Sequence, residues 1–477
     1  MTHRICVMGA GPGGYVAAVR AAQLGAHVTL VEKDNPGGTC LNWGCIPSKV
    51  LITTAELLER FHRADEFGID LEGAPAVNMT RLMARKEKVV NDQVKGLRGL
   101  FQHHRIHYIT GPGRILKTGV TEIRQADGPA AVVEWDRLIL ATGSRPVALP
   151  GLATDGQRIL SSNEALGLDR LPPSILILGG GVVGCEFAHI FSALGSQVTV
   201  VEALDRLLPL PSVDTACSKV LQREMKKRRI QLMIHRTVQS VNETAEGLRV
   251  VIGPSPFLEN PGAKESQSVE VFVETVLVAV GRCPNTDGIG LDQTRVELDE
   301  RGWVKADERQ QTADPAIFAV GDVLGPSRVM LAHAASTEGL VAADNALGGT
   351  RRMDYQAVPS AIFTSPQVAA VGLTESQAAA SGHAVRSDEV LWRTLGKAQV
   401  IGEIAGQAKI VSETHTGRVL GVHLIGAHAT ELIAEATLAV TKGLTVEDLA
   451  GTIHAHPTLS EVMGETALKA VGRPLHG

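Results

Sequence analysis

Two stretches of this chain repeat one pattern, and the repeat fixes most of what it can fold into. ICVMGAGPGGYVAAVRAAQLGAHVTLVEK runs from an apolar strand through Gly9-x-Gly11-x-x-Gly14 into an Ala-rich helix, then along a second strand ending at Glu32. SILILGGGVVGCEFAHIFSALGSQVTVVEA does the same with Gly179-x-Gly181-x-x-Gly184 and Glu202, and the interval from first glycine to closing glutamate is identical in both copies. Taken alone, such a glycine pattern is weak. Between a strand and a helix it is specific, because the glycines permit a tight turn and close approach of a pyrophosphate to the helix N-terminus, while the glutamate can accept hydrogen bonds from ribose hydroxyls. Two dinucleotide units are expected, against the alternative that one copy is kept only for packing.

A chain of 477 residues exceeds one ordinary domain. With 50 glycines and only 3% aromatic residues it suits an α/β protein rich in strand-to-helix turns rather than a sandwich. A formal net charge of -5 gives no electrostatic reason to invoke nucleic acid or an anionic membrane. No apolar run is long enough to cross a bilayer, and RICVMG begins too near Met1 for a leader, so a cytoplasmic location is expected. Six cysteines do not make a disulfide framework at this length, and in a reducing compartment a bridge is more often catalytic than structural.

Two of those cysteines stand apart. GGTCLNWGCIPSK, Gly37 to Lys49, holds Cys40 and Cys45 before a run of helical spacing. Gly37 and Gly38 allow a tight turn, Thr39 can cap, and the cysteines are expected at a helix N-terminus, where thiolate is favoured. In an ideal helix Cα atoms five residues apart lie about 8–9 Å from one another, whereas bridged cysteines need about 4.4–6.8 Å. A redox disulfide here therefore requires a distorted first turn, with Gly44 the expected place. A metal site and a pair of buried small hydrophobes are the competing readings; no second Cys/His pair stands at ligand spacing nearby. Cys6, Cys185, Cys217 and Cys283 are expected to be ordinary small buried residues.

Between the repeats, the stretch from Gly111 to Pro146 suggests a β-hairpin and then an apolar strand into Ala141-Thr142-Gly143-Ser144, with a domain boundary in the Pro/Gly-rich stretch around 146–173. KKRR, at 226–229, is expected to be a solvated helix face, and 253–268 the most loop-like run. VETVLVAVGRCPN and WVKADERQQTADPAIFAVGDV fit the first nucleotide unit better than the second, so the second would be inserted within the first. AIFAVGD ends in a Gly-Asp turn where Asp322 could hold a polyol hydroxyl, and the helix after Met330 could face an electron-rich ring edge with its N-terminal amides. From about residue 350 strands and helices alternate as in a separate α+β domain. In HAHPTLSE, Pro457 fixes the backbone after His456 and Glu461 can fold back to orient the imidazole.

The order of these motifs resembles the pyridine nucleotide-disulfide oxidoreductase family over essentially the whole chain, and GGTCLNWGCIPSK with HAHPTLSE is similar to its dihydrolipoamide dehydrogenases. The resemblance implies an α/β protein with two Rossmann-like dinucleotide-binding domains and a C-terminal α+β dimerisation domain. These would be an FAD-binding domain at 1–148 and 277–347, an NAD-binding domain at 149–276 and the dimerisation domain at 348–477. Carried over by motif, Gly9, Gly11, Gly14 and Glu32 would bind the ADP half of FAD. Lys49, the Gly113 turn, Thr142, Gly143, Ser144, Asp322, Met330, Leu331, Ala332 and His333 would hold the remainder. Gly179, Gly181, Gly184, Glu202 and Gly281 would place NAD(H), with Val238 a weaker candidate near the adenine. Glu186 resembles the family's glutamate that pairs with the lysine beside the flavin, on the nicotinamide side. No metal is implied.

The resemblance also implies a homodimer in which His456 and Glu461 serve the partner's site. Cys40 would be the interchange thiol and Cys45 the thiolate against the flavin, oxidising protein-bound dihydrolipoamide and reducing NAD+. The partners implied are lipoyl domains of 2-oxo acid dehydrogenase or glycine cleavage complexes. Siblings are weighed by what is missing: no cysteine follows Cys283, unlike mercuric and high-molecular-weight thioredoxin reductases, and soluble transhydrogenases lack the cysteine pair. Glu202 argues for NAD over NADP, since a carboxylate there would repel a 2′-phosphate, whereas Arg206 is the one nearby cation that could attract it. A diaphorase or quinone reductase on the same scaffold, or mainly a docking subunit of a 2-oxo acid dehydrogenase complex, are the alternatives.

Overall fold

A computed structural model describes residues 3–126, 128–259, 262 and 266–476. They form two compact units, one holding residues up to Val50 with Thr80–Val147 and Gly281–Tyr355, the other Leu51–Met79, Ala148–Val280 and the chain from Gln356 on.

The chain opens with β1 (Arg4–Met8), α1 (Pro12–Gln23) and β2 (His27–Glu32), the strands paired in parallel with Ile5 opposite Val28 and Met8 opposite Val31. Their inner residues are apolar on both faces because both are covered, one by α1 (Ile5, Val7 and Leu30 with Ala17 and Ala18) and the other by the segment holding Ile115, Ile123 and Trp135. α2 (Gly38–Asn42) and α3 (Cys45–His62) follow, then the long α4 (Met79–His103) and β3 (His107–Thr110) beside β2. Next, β4 (Gly113–Lys117), β5 (Val120–Ile123) and β6 (Ala131–Glu134) make an antiparallel meander. This is one strand more than the expected hairpin. The reason is packing: Ala131 and Val133 cover the core of Ile115, Ile123 and Trp135. β7 (Arg137–Leu140) then lies beside β1, and β8 (Ser144–Pro146) follows.

The second nucleotide fold contains β9 (Ile159–Leu160), α5 (Ser162–Ala165), β10 (Ser174–Leu178), α6 (Val182–Leu194), β11 (Gln197–Val201), α7 (Thr215–Lys227) and β12 (Gln231–Met233). A meander of β13 (Arg236–Thr244), β14 (Gly247–Pro254) and β15 (Val269–Val273) leads into β16 (Thr275–Val278). The loop expected at 253–268 begins in the last residues of β14 and lies in part outside the described residues. β16 corrects the sequence reading. Expected to return to the first unit, it pairs in parallel with β10, giving the sheet order β12-β11-β10-β16-β9. Gly179 needs that neighbour: a Cβ there would sit 2.4 Å from the carbonyl oxygen of Ala279, just beyond β16, as one at Gly9 would sit 2.2 Å from that of Ala141, just beyond β7.

The chain rejoins the first unit with β17 (Arg282–Pro284), antiparallel to β8, and β18 (Ile317–Ala319), which completes the order β18-β7-β1-β2-β3. α8 (Ala332–Ala346) packs on α1 so closely that a Cβ on Gly339 would stand 2.4 Å from the carbonyl oxygen of Gly13. The C-terminal part holds β19 (Ser360–Ile362), β20 (Gln367–Gly372), α9 (Glu375–Ala380), β21 (Val385–Leu391), α10 (Gly396–Val400), β22 (Gln407–Glu413), β23 (Val419–Gly426), α11 (Ala429–Lys442), α12 (Val446–Gly451) and α13 (Glu461–Ala470). Its antiparallel sheet, in the order β19-β20-β23-β22-β21, packs around Trp392, Ile410, Val422, Leu424 and Met463, as an α+β reading requires.

One buried cation braces the second unit. Lys409 on β22 donates from Nζ to Asp214 Oδ2 at 3.2 Å and to Glu375 Oε2 at 2.7 Å, and Asp214 caps α7 by accepting the Ala216 amide. Lys409→Met would leave Asp214 without its cation, which should destabilise the fold by about 3–5 kcal/mol. A lowered urea midpoint is the expected reading; an unchanged one would show that the pair contributes nothing.

Candidate active site

The two glycine turns have the same geometry. The first glycine of each has positive φ, +103° at Gly9 and +111° at Gly179, against a neighbouring carbonyl. The third is needed for helix packing, since a Cβ on Gly14 or Gly184 would stand 1.9 Å from the carbonyl oxygen of the first. The second is different. A Cβ on Gly181 would meet nothing within 4 Å, and one on Gly11 only the Gly38 Cα at 3.8 Å, so here glycine clears a space rather than fitting one. Gly11 and Gly181 also cap α1 and α6 without offering a side-chain acceptor to the first-turn amides. Open space beneath a helix end that has no side-chain cap is where a pyrophosphate fits.

The closing glutamates are equally alike. Glu32 accepts the amides of Ala10 at 2.7 Å and Asp34 at 2.9 Å, and Glu202 those of Gly180 at 2.5 Å and Leu204 at 2.8 Å. Both are buried, and for Glu32 burial outweighs those amides and pushes its carboxyl up. Each carboxylate oxygen keeps a lone pair for a ribose hydroxyl. Arg206, which might have read a 2′-phosphate, is committed elsewhere: its guanidinium donates to Ser218 Oγ at 2.7 Å and to the carbonyls of Val213 and Leu210, both at 3.2 Å. Val238, on β13, packs against the apolar core of its sheet.

In the first unit Ser144 Oγ donates to Asp322 Oδ2 at 2.7 Å and accepts Arg282 Nε at 2.6 Å. Asn285 holds the backbone just before them, donating from its side chain to the Thr142 carbonyl at 2.9 Å and from its amide to that of Gly143 at 3.0 Å. The Thr142 hydroxyl is buried without a partner among the described residues, and a Cβ on Gly143 or Gly281 would meet nothing within 4 Å. Gly113 packs against Met8 and Val31, at the tips of β1 and β2. Leu331 caps α8 with an apolar side chain and so offers no side-chain acceptor to the helix's first turn, which holds Ala332 and His333; Met330 lies just before it. An orphaned hydroxyl, a carboxylate and an uncapped helix end suit a ligand with polyol and electron-rich ring edges.

The cysteine stretch is built onto the first glycine turn. Gly37 donates its amide to the Ala10 carbonyl at 2.8 Å, and Gly38 lies so near Gly11 that a Cβ would come within 2.6 Å of the Gly11 Cα. Gly37 opens α2 in the left-handed region, and the Asn42 side chain ties down the preceding loop by donating to the carbonyls of Pro36 and Gly38. Thr39 lies inside α2 and does not cap it; its carbonyl accepts the Trp43 amide instead. Cys40 therefore sits on α2, and only Cys45 opens a helix, α3. The break expected near Gly44 falls there, with Trp43 (φ −133°, ψ 14°) and Gly44 between the two helices.

No disulfide joins Cys40 and Cys45 in this structure. Cys40 shares a hydrogen bond with Cys45, and this bond, with burial, pushes the Cys40 thiol up while Lys49 pulls it down. Burial raises the thiol of Cys6 to about 12, and burial with the charges of Asp214 and Glu389 does the same for Cys217, so these are inert packing residues, whereas Cys283 is only half-buried. Among the described residues no third His, Cys, Asp or Glu joins the pair in a group able to hold a metal. Lys49 Nζ is 3.4 Å from Ser48 Oγ, and Glu186, buried on α6, accepts the Phe363 amide at 3.0 Å.

In the second unit His456 Nδ1 donates to Glu461 Oε1 at 2.8 Å, and Glu461 Oε2 accepts the Thr458 amide at 2.9 Å. Burial raises the Glu461 carboxyl, but the His456 hydrogen bond, the Thr458 amide and the charges of His456 and His454 outweigh it and hold it below its ordinary range. With Nδ1 bonded, the lone pair of His456 is at Nε2, on a side chain 77% exposed. The sequence reading passed over Arg282, His454 and Glu338. The first two had a signal in their place beside Gly281 and in His-x-His-Pro. Glu338, which accepts the Gly321 amide at 2.6 Å and the Tyr355 hydroxyl at 2.8 Å, had none beyond being a charge within a helix otherwise rich in alanine.

A dithiol seated on one of two dinucleotide turns defines a dinucleotide-dependent thiol oxidoreductase. The pyridine nucleotide-disulphide oxidoreductase model matches residues 3–339 and the dimerisation domain of that family matches 358–467, so the chain belongs to this family. It is 41% identical over 472 residues to the dihydrolipoyl dehydrogenase of Chlamydia trachomatis, covering 98% of this chain and 97% of that one. To the dihydrolipoyl dehydrogenase of Bacillus subtilis it is 40% identical, covering 99% of each. The crystal structure of LpdA from Mycobacterium tuberculosis superposes with a TM-score of 0.89 at 29% identity, over 98% of this chain and 100% of the other. No helix among the described residues is long and apolar enough to cross a membrane.

Proposed function

We propose that this protein oxidises protein-bound dihydrolipoamide to lipoamide and reduces NAD+ to NADH, with FAD as resident cofactor. The observation that carries this is the seat of the Cys40–Cys45 stretch on the Gly9–Gly14 turn, which puts a dithiol beside a dinucleotide site. We assign FAD to the first unit's residues named above, Lys49 among them, and NAD(H) to the Gly179–Gly184 turn, Glu186, Glu202 and Gly281, with Val238 the weakest candidate. The domain division follows, 1–148 with the stretch after the second nucleotide fold for FAD, 149 onward for NAD, and 348–477 for dimerisation; β16 moves the return point from 277 to Gly281. A homodimer in the cytoplasm, engaging lipoyl domains of 2-oxo acid dehydrogenase or glycine cleavage complexes, completes the reading.

Bound FAD supplies a two-electron acceptor between the dithiol and NAD+. The protein's own residues do the thiol chemistry. In the oxidised enzyme Cys40 and Cys45 are bridged, and His456 Nε2, oriented by Glu461, takes a proton from the substrate dithiol. The substrate thiolate attacks Cys40, breaking the bridge and releasing Cys45 as thiolate. The second substrate sulfur then displaces Cys40, closing the dithiolane and leaving two reduced cysteines. The exposure of His456 supports its serving the cysteines of a second copy of the chain.

Turnover of dihydrolipoamide with NAD+ tests the reading against the quinone-reductase alternative. Rapid NADH formation from the dithiol is expected; flavin that reacts with quinones but not with dihydrolipoamide would contradict it. A narrower test uses Gly181→Ala, whose Cβ meets nothing in the protein but enters the space assigned to the NAD pyrophosphate. Undiminished flavin content and thermal stability with an NADH KM raised about tenfold or more, equivalent to about 1.4 kcal/mol, are expected; an unchanged KM would remove NAD from this turn.

A further inference from the structure

We propose that His454 is a positioning residue for the His456–Glu461 pair, an inference that rests on the dithiol-oxidising function: clamped by Glu435, it braces the helix turn that carries Glu461. His454 Nε2 lies 3.0 and 3.3 Å from the two carboxylate oxygens of Glu435 on α11, and its side chain is only 10% exposed. Its ring rests on Gly464, one turn into α13 from Glu461, and a Cβ there would stand 2.8 Å from His454 Nδ1. Glycine at 464 is thus what lets the ring in. A half-buried imidazole between a carboxylate and a helix turn is more than packing: α11 faces it with Glu435, α13 with Glu461, and its own segment with the Thr452 carbonyl. The Glu435 hydrogen bond is the main cause that raises the imidazole above its ordinary value, against burial, and its charge when protonated is among the causes that lower Glu461. Two His–Glu pairs stand one behind the other, the outer to move the proton and the inner to set the field in which it moves.

The test is the pH profile of dihydrolipoamide oxidation by the flavin-loaded dimer. His454→Gln leaves Glu435 uncompensated and makes the surroundings of the outer pair more negative, so the acidic limb should move to higher pH by about half a unit to one unit. The double variant His454→Gln/Glu435→Gln restores neutrality and should bring the limb back toward the parent's. NADH oxidation by a quinone acceptor should keep its profile throughout. Should His454→Gln fail to hold flavin, Gly464→Ala, which pushes the ring from its seat, gives the same expected shift. A limb that stays in place while turnover falls at all pH values overturns the proposal in favour of a purely structural role. A parent enzyme that does not turn over dihydrolipoamide at any pH would instead overturn the function on which it rests.

Discussion

Cys45→Ser should abolish dihydrolipoamide oxidation while leaving a folded protein with its full complement of flavin. Serine cannot bridge to Cys40 and, as an alkoxide, is a far poorer leaving group than a thiolate, so substrate attack at Cys40 has no sulfur to expel. The two cysteines are unequal in the structure, and the variants should be unequal too. Cys40 lies within α2 whereas Cys45 opens α3, where a helix N-terminus favours thiolate, so the thiolate role is assigned to Cys45. On two-electron reduction the long-wavelength absorbance of a thiolate beside the flavin should vanish in Cys45→Ser and survive in Cys40→Ser, both being inactive with dihydrolipoamide. Survival of the band in Cys45→Ser would reverse the two roles.

His456→Gln is expected to lower dihydrolipoamide turnover by about 10²–10⁴-fold, the usual contribution of a positioned general base. NADH oxidation by a quinone acceptor needs no proton from the dithiol and should change little. Equal losses in both reactions would count against an acid–base role. A mixed dimer sharpens the point. When a chain carrying Cys45→Ser pairs with one carrying His456→Gln, each inactive alone, one site regains both intact cysteines and an intact histidine if the pair serves the partner. Recovered activity is expected; its absence would place all four residues in one chain.

Much of this was legible in the residues because each signal had a local physical cause. The glycine turns were readable since backbone approach, not tertiary context, decides those positions, and the helix break between Cys40 and Cys45 followed from the reach of a disulfide. The extra strand β6 and the return strand β16 were missed for the opposite reason. Ala131–Glu134 becomes a strand because a core made by other segments needs cover, and Thr275–Val278 is an apolar run whose pattern suits either nucleotide sheet. The inner pair, Glu435 and His454, lies on separate elements joined only by the fold, so no spacing announced it. Arg206 shows the limit most plainly: its sequence position suggested a phosphate reader, and only its hydrogen bonds to Ser218, Val213 and Leu210 reveal an internal tie.

The most direct measurement is an anaerobic titration of the flavin-loaded enzyme with dihydrolipoamide and NAD+, following flavin absorbance and NADH together. One NADH formed for each dithiol consumed is expected in the parent, with none in Cys45→Ser. NADH formed by the Cys45→Ser variant, or flavin in the parent that dihydrolipoamide does not reduce, would contradict electron transfer through the Cys40–Cys45 pair.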